Sequence, residues 1–135
     1  MAIEKPLPIP THISQPFWDA LREHKVRIQY SPSTSQWVFY PRSLAPRTLA
    51  DDLEWREIAG TGTVYAFTIG RRPTAPPWED ALPQLLAIVE LDEGPRLTTE
   101  LVNIPPEAIK VGMRVKPHFE DIAGAGVTLL RYEPA

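Results

Sequence analysis

Apolar residues recur along this chain with two different periods, and the change of period divides it. Ser14-Gln15-Pro16 opens a helix, with Ser14 as N-cap and a proline in the first turn, where its missing N–H costs nothing. Phe17, Trp18, Leu21 and Lys25 follow at helical spacing, with Asp19 near the positive end of the helix dipole and Arg22, His24 and Lys25 near the negative end. Phe17 and Trp18 read first as the residues that fasten this helix to the rest of the domain. Beyond Val26–Tyr30 the pattern becomes strand-like. Thr61–Ile69 is rich in threonine, valine and aromatics and is entered through Gly60 and Gly62. Gln84–Leu91 is almost continuously apolar and predicts a central strand. Asp92-Glu93-Gly94-Pro95 is a strong turn signal, so Arg96–Asn103 returns antiparallel as a hairpin. Pro105–Ile109 predicts a helical turn closed by Gly112. Met113, Val115 and Phe119 then alternate with Arg114, Lys116, His118 and Glu120 as a half-buried strand, and Val127–Tyr132 is the last strand after a Gly124/Gly126 turn.

Five such strands, with a helical turn between the third and fourth, follow the order of an OB-fold barrel; the placement of Pro105–Val111 favours it over an SH3-like barrel or a short sandwich. The one long connection, Gly70–Pro83, has no predicted element of its own, and such segments tend to be functional or mobile. Ahead of the barrel, Ile28–Thr48 has the frame of a zinc ribbon: two tight knuckles, an aromatic strand between them, and Pro41-Arg42 leading into the second. A four-thiolate zinc site needs a Cys-x-x-Cys pair in each knuckle. Here the slots are Ser31/Thr34 and Ala45/Thr48, and the chain has no cysteine. Hydroxyls and a methyl group do not hold zinc, so no metal is expected, and packing of Trp37, Phe39, Tyr40 and Leu44 on the barrel or helix should hold the frame. The predicted fold is mainly β: an extended arm over residues 1–13, a helix over 14–25, a degenerate, metal-free ribbon-like segment over 26–56 and a five-stranded OB-fold barrel over 57–135.

Composition narrows the function. A chain of 135 residues with 43% hydrophobic and 23% charged residues makes one domain, or one domain with a small appendage. The absence of cysteine removes disulfides, thiolate nucleophiles and sulfur-ligated metals together, and fits a reducing compartment. Met1–Pro10 lacks the apolar core of a signal peptide, and no apolar run reaches the roughly 18–20 residues of a membrane-spanning helix, so a cytoplasmic location without membrane contact is expected. A net charge of −3 argues against a general nucleic-acid binder. The 16 prolines cluster at the borders of the predicted elements, as residues that cannot donate to a ladder should.

Catalytic patterns are absent. The chain has no phosphate-cradling glycine loop, nucleophile elbow or His-Glu-x-x-His, and nothing in the spacing of His12, His24 and His118 groups them. The acidic pairs Asp51-Asp52, Glu79-Asp80, Asp92-Glu93 and Glu120-Asp121 fall at turns or strand ends and read as solvated carboxylates. Arg71-Arg72, six residues before Trp78, is the compact basic feature near an aromatic. A guanidinium pair matches phosphate oxygens bidentately, although a solvated loop end is the plainer reading.

Taken in order, six segments resemble the DUF35 family, small proteins with a rubredoxin-like zinc ribbon followed by an acyl-CoA-associated OB-fold: Gln15–Leu21, Phe39–Arg42, Asp52–Trp55, Gly60–Thr68, Ala87–Gly94 and Val111–Val115. The departure from the family is the loss of all four ribbon cysteines. The resemblance implies a non-catalytic accessory subunit that joins a thiolase-like enzyme acting on acyl-CoA thioesters in condensation, acyl transfer or retro-aldol cleavage, and helps enclose CoA or acyl-CoA. No covalently bound cofactor is expected beyond that CoA or acyl-CoA contact; the missing thiolates leave no zinc and the acidic balance no nucleic acid, and a homo-oligomer is the other assembly kept in view. Aromatics and arginines dominate association hot spots, so Trp18, Trp37, Arg42, Arg71, Arg72 and Trp78 are the candidate CoA or partner contacts, with Phe17 and Trp37 first in line to be core instead. Gly70–Pro83 is expected to be poorly ordered alone and to order on a partner or CoA. Two other readings stay open on the residues themselves: a stand-alone OB module stacking single-stranded nucleic acid on aromatics, and a small enzyme acting on an acyl-CoA.

Overall fold

The computed structural model describes residues 5–135, so Met1–Glu4 of the predicted arm lie outside the described residues. From Lys5 to Pro10 the arm runs without secondary structure. Helix α1 spans Gln15–Arg22 and buries Phe17, Ala20 and Leu21 on one face. It is shorter than residues 14–25, and the reason lies at both ends. The Ser14 side chain makes no capping bond, because its hydroxyl instead accepts from the Thr11 amide at 2.9 Å. At the other end His24 takes the left-handed conformation, φ 57°, and its N–H donates to Leu21 O at 2.9 Å while Lys25 N–H reaches Ala20 O at 3.0 Å. This 6→1 and 5→2 pairing is the Schellman stop. A histidine in the place of the usual glycine is held from outside: its ring stacks on Phe119 at 5.0 Å and 7°, and Nε2 meets the Asp121 carboxylate at 2.9 Å.

Two sheets follow. The smaller has the order β2-β1-β3, all antiparallel, from β1 (Val26–Ser31), β2 (Gln36–Val38) and β3 (Glu54–Ile58). The larger has the order β6-β5-β4-β7-β8, from β4 (Gly62–Gly70), β5 (Gln84–Leu91), β6 (Arg96–Glu100), β7 (Arg114–Ile122) and β8 (Val127–Pro134). A parallel bridge between Leu101 and Tyr132 joins the two outer strands, with Val102 N–H donating to Tyr132 O at 2.8 Å. That closure makes the sheet an OB-fold barrel rather than an open sandwich. A helical turn at Pro106–Ala108 sits between the third and fourth barrel strands, where Pro105-Pro106 predicts it.

One core serves both sheets. Val64, Val89, Val115 and Tyr132 from the barrel are at most 1% exposed, and Val26 and Ile28 of β1 belong to the same apolar cluster. The ribbon therefore packs on the barrel through β1, with Trp37 and Phe39 partly buried beside it. The predicted packing of Tyr40 and Leu44 is corrected: they are 54% and 42% exposed. The connection between β4 and β5 also differs from expectation, because it carries a 3-10 helix at Pro76–Ala81. None of its residues is buried, so it gains little from burial and shows no apolar period in the sequence.

Candidate functional site

The principal concavity lies where α1 and the chain after β2 meet the β6–β8 side of the barrel. Phe17, Trp18 and Leu21 form one wall, Phe39 and Tyr40 a second, and Leu97 and Leu130 the floor of a cavity of about 460 Å³. A wider cleft of about 940 Å³ adjoins it, between Trp78, Gln84 and Leu86 on one side and the Ala123–Ala125 turn on the other, with the arm at Lys5–Pro8 alongside. Leu129 and Arg131 line both spaces, so they form one groove. Arg131 is partly buried between two carboxylates: Nε meets Glu120 at 3.0 Å and Nη1 meets Glu100 at 3.6 Å. Its charge is thereby spent within the protein, and with Lys5 at the edge the described lining carries no net charge and is most apolar where α1 and the ribbon wall it. At the second wall the Tyr40 hydroxyl accepts from Thr98 N–H at 3.2 Å, which ties the ribbon to the outer strand β6. Exposure of the Tyr40 ring is the consequence of that tether.

The six residues singled out from sequence do not converge. Trp18 and Trp78 line the two adjoining halves of the groove. Trp37 sits in a separate cleft of about 440 Å³ between the ribbon and the β5–β6 turn, half-buried against the core and 4.7 Å from the Tyr30 ring. The Arg42 side chain is exposed, but its backbone is fixed: Gln29, 5% exposed, donates to Arg42 O and accepts from Arg42 N–H, both at 2.7 Å. Arg71 and Arg72 are exposed at the end of β4, and neither forms an ion pair among the described residues. Arg131, Glu100 and Glu120, which shape the groove, carried no local signal, since each occupies an ordinary polar position in an alternating strand.

The acidic pairs are not uniformly solvated, which corrects the expectation for three of the four: in Glu120-Asp121, Glu120 pairs with Arg131, and Asp121 accepts the Thr128 hydroxyl at 2.6 Å and meets His24. Asp92 takes Arg114 in a bidentate pair at 2.7 and 2.9 Å and the Thr61 hydroxyl at 2.7 Å, and these partners, Arg114 foremost, hold its carboxyl down to about 2. Its neighbour Glu93 borders the Trp37 cleft with Oε1 buried and unpartnered, and burial pushes that carboxyl up. In the ribbon, Asp52 accepts the Ser31 hydroxyl at 2.7 Å and the Ser33 amide at 2.8 Å, and those bonds, Ser31 first, bring its carboxyl to about 2.

The knuckles do not fit zinc. Ser31 and Ala45 are wholly buried; the Ser31 hydroxyl is engaged by Asp52, and the Ala45 methyl offers no lone pair. Thr34 Oγ1 is buried without a partner, but one neutral hydroxyl is far from the four ligands a structural site requires. Among the described residues no group of three or more His, Cys, Asp or Glu is placed to hold a metal. Metal analysis of untagged protein should therefore find well under one zinc per chain; stoichiometric zinc on ribbon ligands would refute this.

The family described as "ChsH2, C-terminal OB-fold domain" matches residues 55–120, from β3 into β7. A probable enoyl-CoA hydratase alpha subunit of Thermomonospora curvata is 36% identical over 120 residues, 88% of this chain but 37% of that protein, so the chain spans little more than a third of its length. A DUF35 domain-containing scaffold protein of Pyrococcus furiosus is 32% identical over 107 residues, covering 79% of this chain and 77% of the relative. A solved structure described as "Ltp2-ChsH2(DUF35) aldolase" superposes with a TM-score of 0.82 at 30% identity, over 95% of this chain and 98% of that one. Helix, ribbon and barrel are all included in that superposition, and not the barrel alone. The chain belongs to the DUF35 family.

Proposed function

We propose that this protein is an accessory subunit of a thiolase-superfamily enzyme acting on an acyl-CoA thioester, which it supports by docking and by helping to enclose CoA, without supplying a catalytic residue. The observation that carries this reading is the whole-chain likeness to a DUF35 chain whose solved structure is described as an aldolase. The site chemistry agrees with it. The groove is lined mainly by apolar side chains, with Arg131 held between Glu100 and Glu120 and Lys5 at its edge, and among the described residues it has no activated nucleophile and no acid–base pair poised across it. An apolar channel suits a pantetheine or acyl chain, whereas a groove without excess positive charge offers little to a nucleic-acid backbone. Arg71 and Arg72, exposed and in no ion pair among the described residues, are groups available to meet the phosphates of CoA or an acidic partner surface.

Co-purification from the native source separates the readings: a thiolase-like enzyme should accompany the chain, nucleic acid should not, and the isolated chain should turn over no acyl-CoA. Turnover by the chain alone would overturn the accessory role. Replacing Arg71 and Arg72 together by alanine should leave stability within about 0.5 kcal/mol, as for exposed surface positions. The same variant should weaken CoA affinity or partner-dependent activity by about tenfold, the effect of losing one charge-assisted contact. Wild-type affinity and rate in the double variant would reduce the pair to a solvated loop end.

A further inference from the structure

The second knuckle of the ribbon closes on its own backbone: Ala45 N–H donates to Ala50 O at 2.9 Å, and Leu49 N–H to Ala45 O at 3.0 Å. The first knuckle is bound by a carboxylate from 21 positions further along the chain. We propose that Asp52 takes the structural place of the metal in this ribbon, clamping the first knuckle to the chain that leaves the second. The inference rests on the ribbon frame and is independent of the accessory role. A four-thiolate zinc ties knuckle to knuckle with four bonds from one centre. Asp52 lies two residues beyond Ala50, where the second knuckle closes, and its two oxygens are met by two donors of the first, the Ser31 hydroxyl at 2.7 Å and the Ser33 amide at 2.8 Å. An ionised carboxylate accepts only, so hydroxyl and amide satisfy it in a geometry that binds both more strongly than a neutral acceptor would. Ser31 is 0% exposed, and without Asp52 its hydroxyl would keep only the long 3.4 Å contact with the Ser33 hydroxyl. Ser31 and Ala45, two of the four slots where the family carries ligands, are thus filled respectively by a donor to this clamp and by a buried methyl.

Amide exchange of the intact chain tests the clamp. Asp52→Ala should speed exchange of the Ser33 amide by about tenfold or more, the loss of hydrogen bonds to a charged group, while barrel amides such as Val89 keep their rates. Asp52→Asn should fall between, since the amide keeps neutral bonds with Ser31 and Ser33 once the hydroxyl rotates to accept. In a chain carrying Ser31→Cys, Thr34→Cys, Ala45→Cys and Thr48→Cys and loaded with zinc, Asp52→Ala should change exchange less than about twofold. A double-mutant cycle of Ser31→Ala and Asp52→Ala needs no metal: strong coupling is expected, and simple multiplication of the two effects would overturn the clamp. Ser33 exchange unchanged in Asp52→Ala, or accelerated as much in the zinc-loaded chain as in the wild type, would overturn it as well.

Discussion

Replacing Tyr132 by alanine should cost about 3–5 kcal/mol, the range for truncating a buried aromatic, and leave little of a domain's usual stability of about 5–15 kcal/mol. Tyr132 is 0% exposed, it makes the bridge to Leu101 that closes the barrel, and its hydroxyl donates to Gly60 O at 2.6 Å. Tyr132→Phe separates these roles. It keeps the ring and removes the donor, so about 1–2 kcal/mol should be lost through the unpaired Gly60 carbonyl. Burial, with the nearby Glu93 and Asp92 carboxylates, holds the phenol well above its ordinary value of 10.0. The unfolded chain ionises there first, so this contribution is intact below pH 10 and is lost as pH rises above it. Urea unfolding at pH 8 and near pH 11 should show the wild type losing stability at the higher pH more steeply than Tyr132→Phe. Equal pH dependence in the two proteins would contradict a buried, neutral phenol.

Gly62→Ala should be the most damaging single-methyl addition in the barrel. Gly62 pairs with Leu91 on one side and Val115 on the other, and an added Cβ would lie 2.5 Å from Glu90 O and 2.8 Å from Val89 Cγ1. A clash with backbone oxygen cannot be relieved by a rotamer change, so strand β5 itself must shift, at a cost toward the upper end of the roughly 1–3 kcal/mol seen for overpacked cores. Gly124→Ala is the control. Its φ of 77° disfavours a side chain, but nothing lies within 4 Å of the added atom, so about 1 kcal/mol is expected. The urea midpoint should fall by about 1–2 M in the first variant and by less than half of that in the second. Similar losses in both would mean that backbone conformation, and not space, sets the cost at Gly62.

Legibility in the sequence followed the range of the interaction. Strand β5 was readable because Leu85–Val89 is apolar throughout and lies between Pro83 and the Asp92–Pro95 turn, although only one face is buried and Ile88 on the other is 37% exposed. The turn at Pro106–Ala108 was readable because proline acts on its immediate neighbours. Ser14 stands at the N-cap position the sequence predicts, but without a side-chain capping bond: a cap preference is local, and Thr11 competes for the same hydroxyl. The 3-10 helix at Pro76–Ala81 left no trace, since two turns with no buried residue impose no apolar period. Residues of the groove were the least legible. Trp18 and Trp78 were picked out for their type, but Arg131 is placed by Glu100 from 31 positions earlier in the chain, and Tyr40 by a β6 amide 58 positions later. Pairings of that separation are a property of the barrel's closure and have no spacing rule.

A ribbon knuckle clamped by Asp52 differs from a thiolate knuckle in what can open it. Sulfur ligands are lost to oxidants and their metal to chelators; a carboxylate held by a hydroxyl and an amide ignores both and answers to acid. Its folded value of about 2 lies below the ordinary 3.8, so the clamp's contribution is complete above pH 3.8 and drains away as pH falls toward 2. The shape of the first knuckle is thereby uncoupled from zinc supply and from oxidative stress.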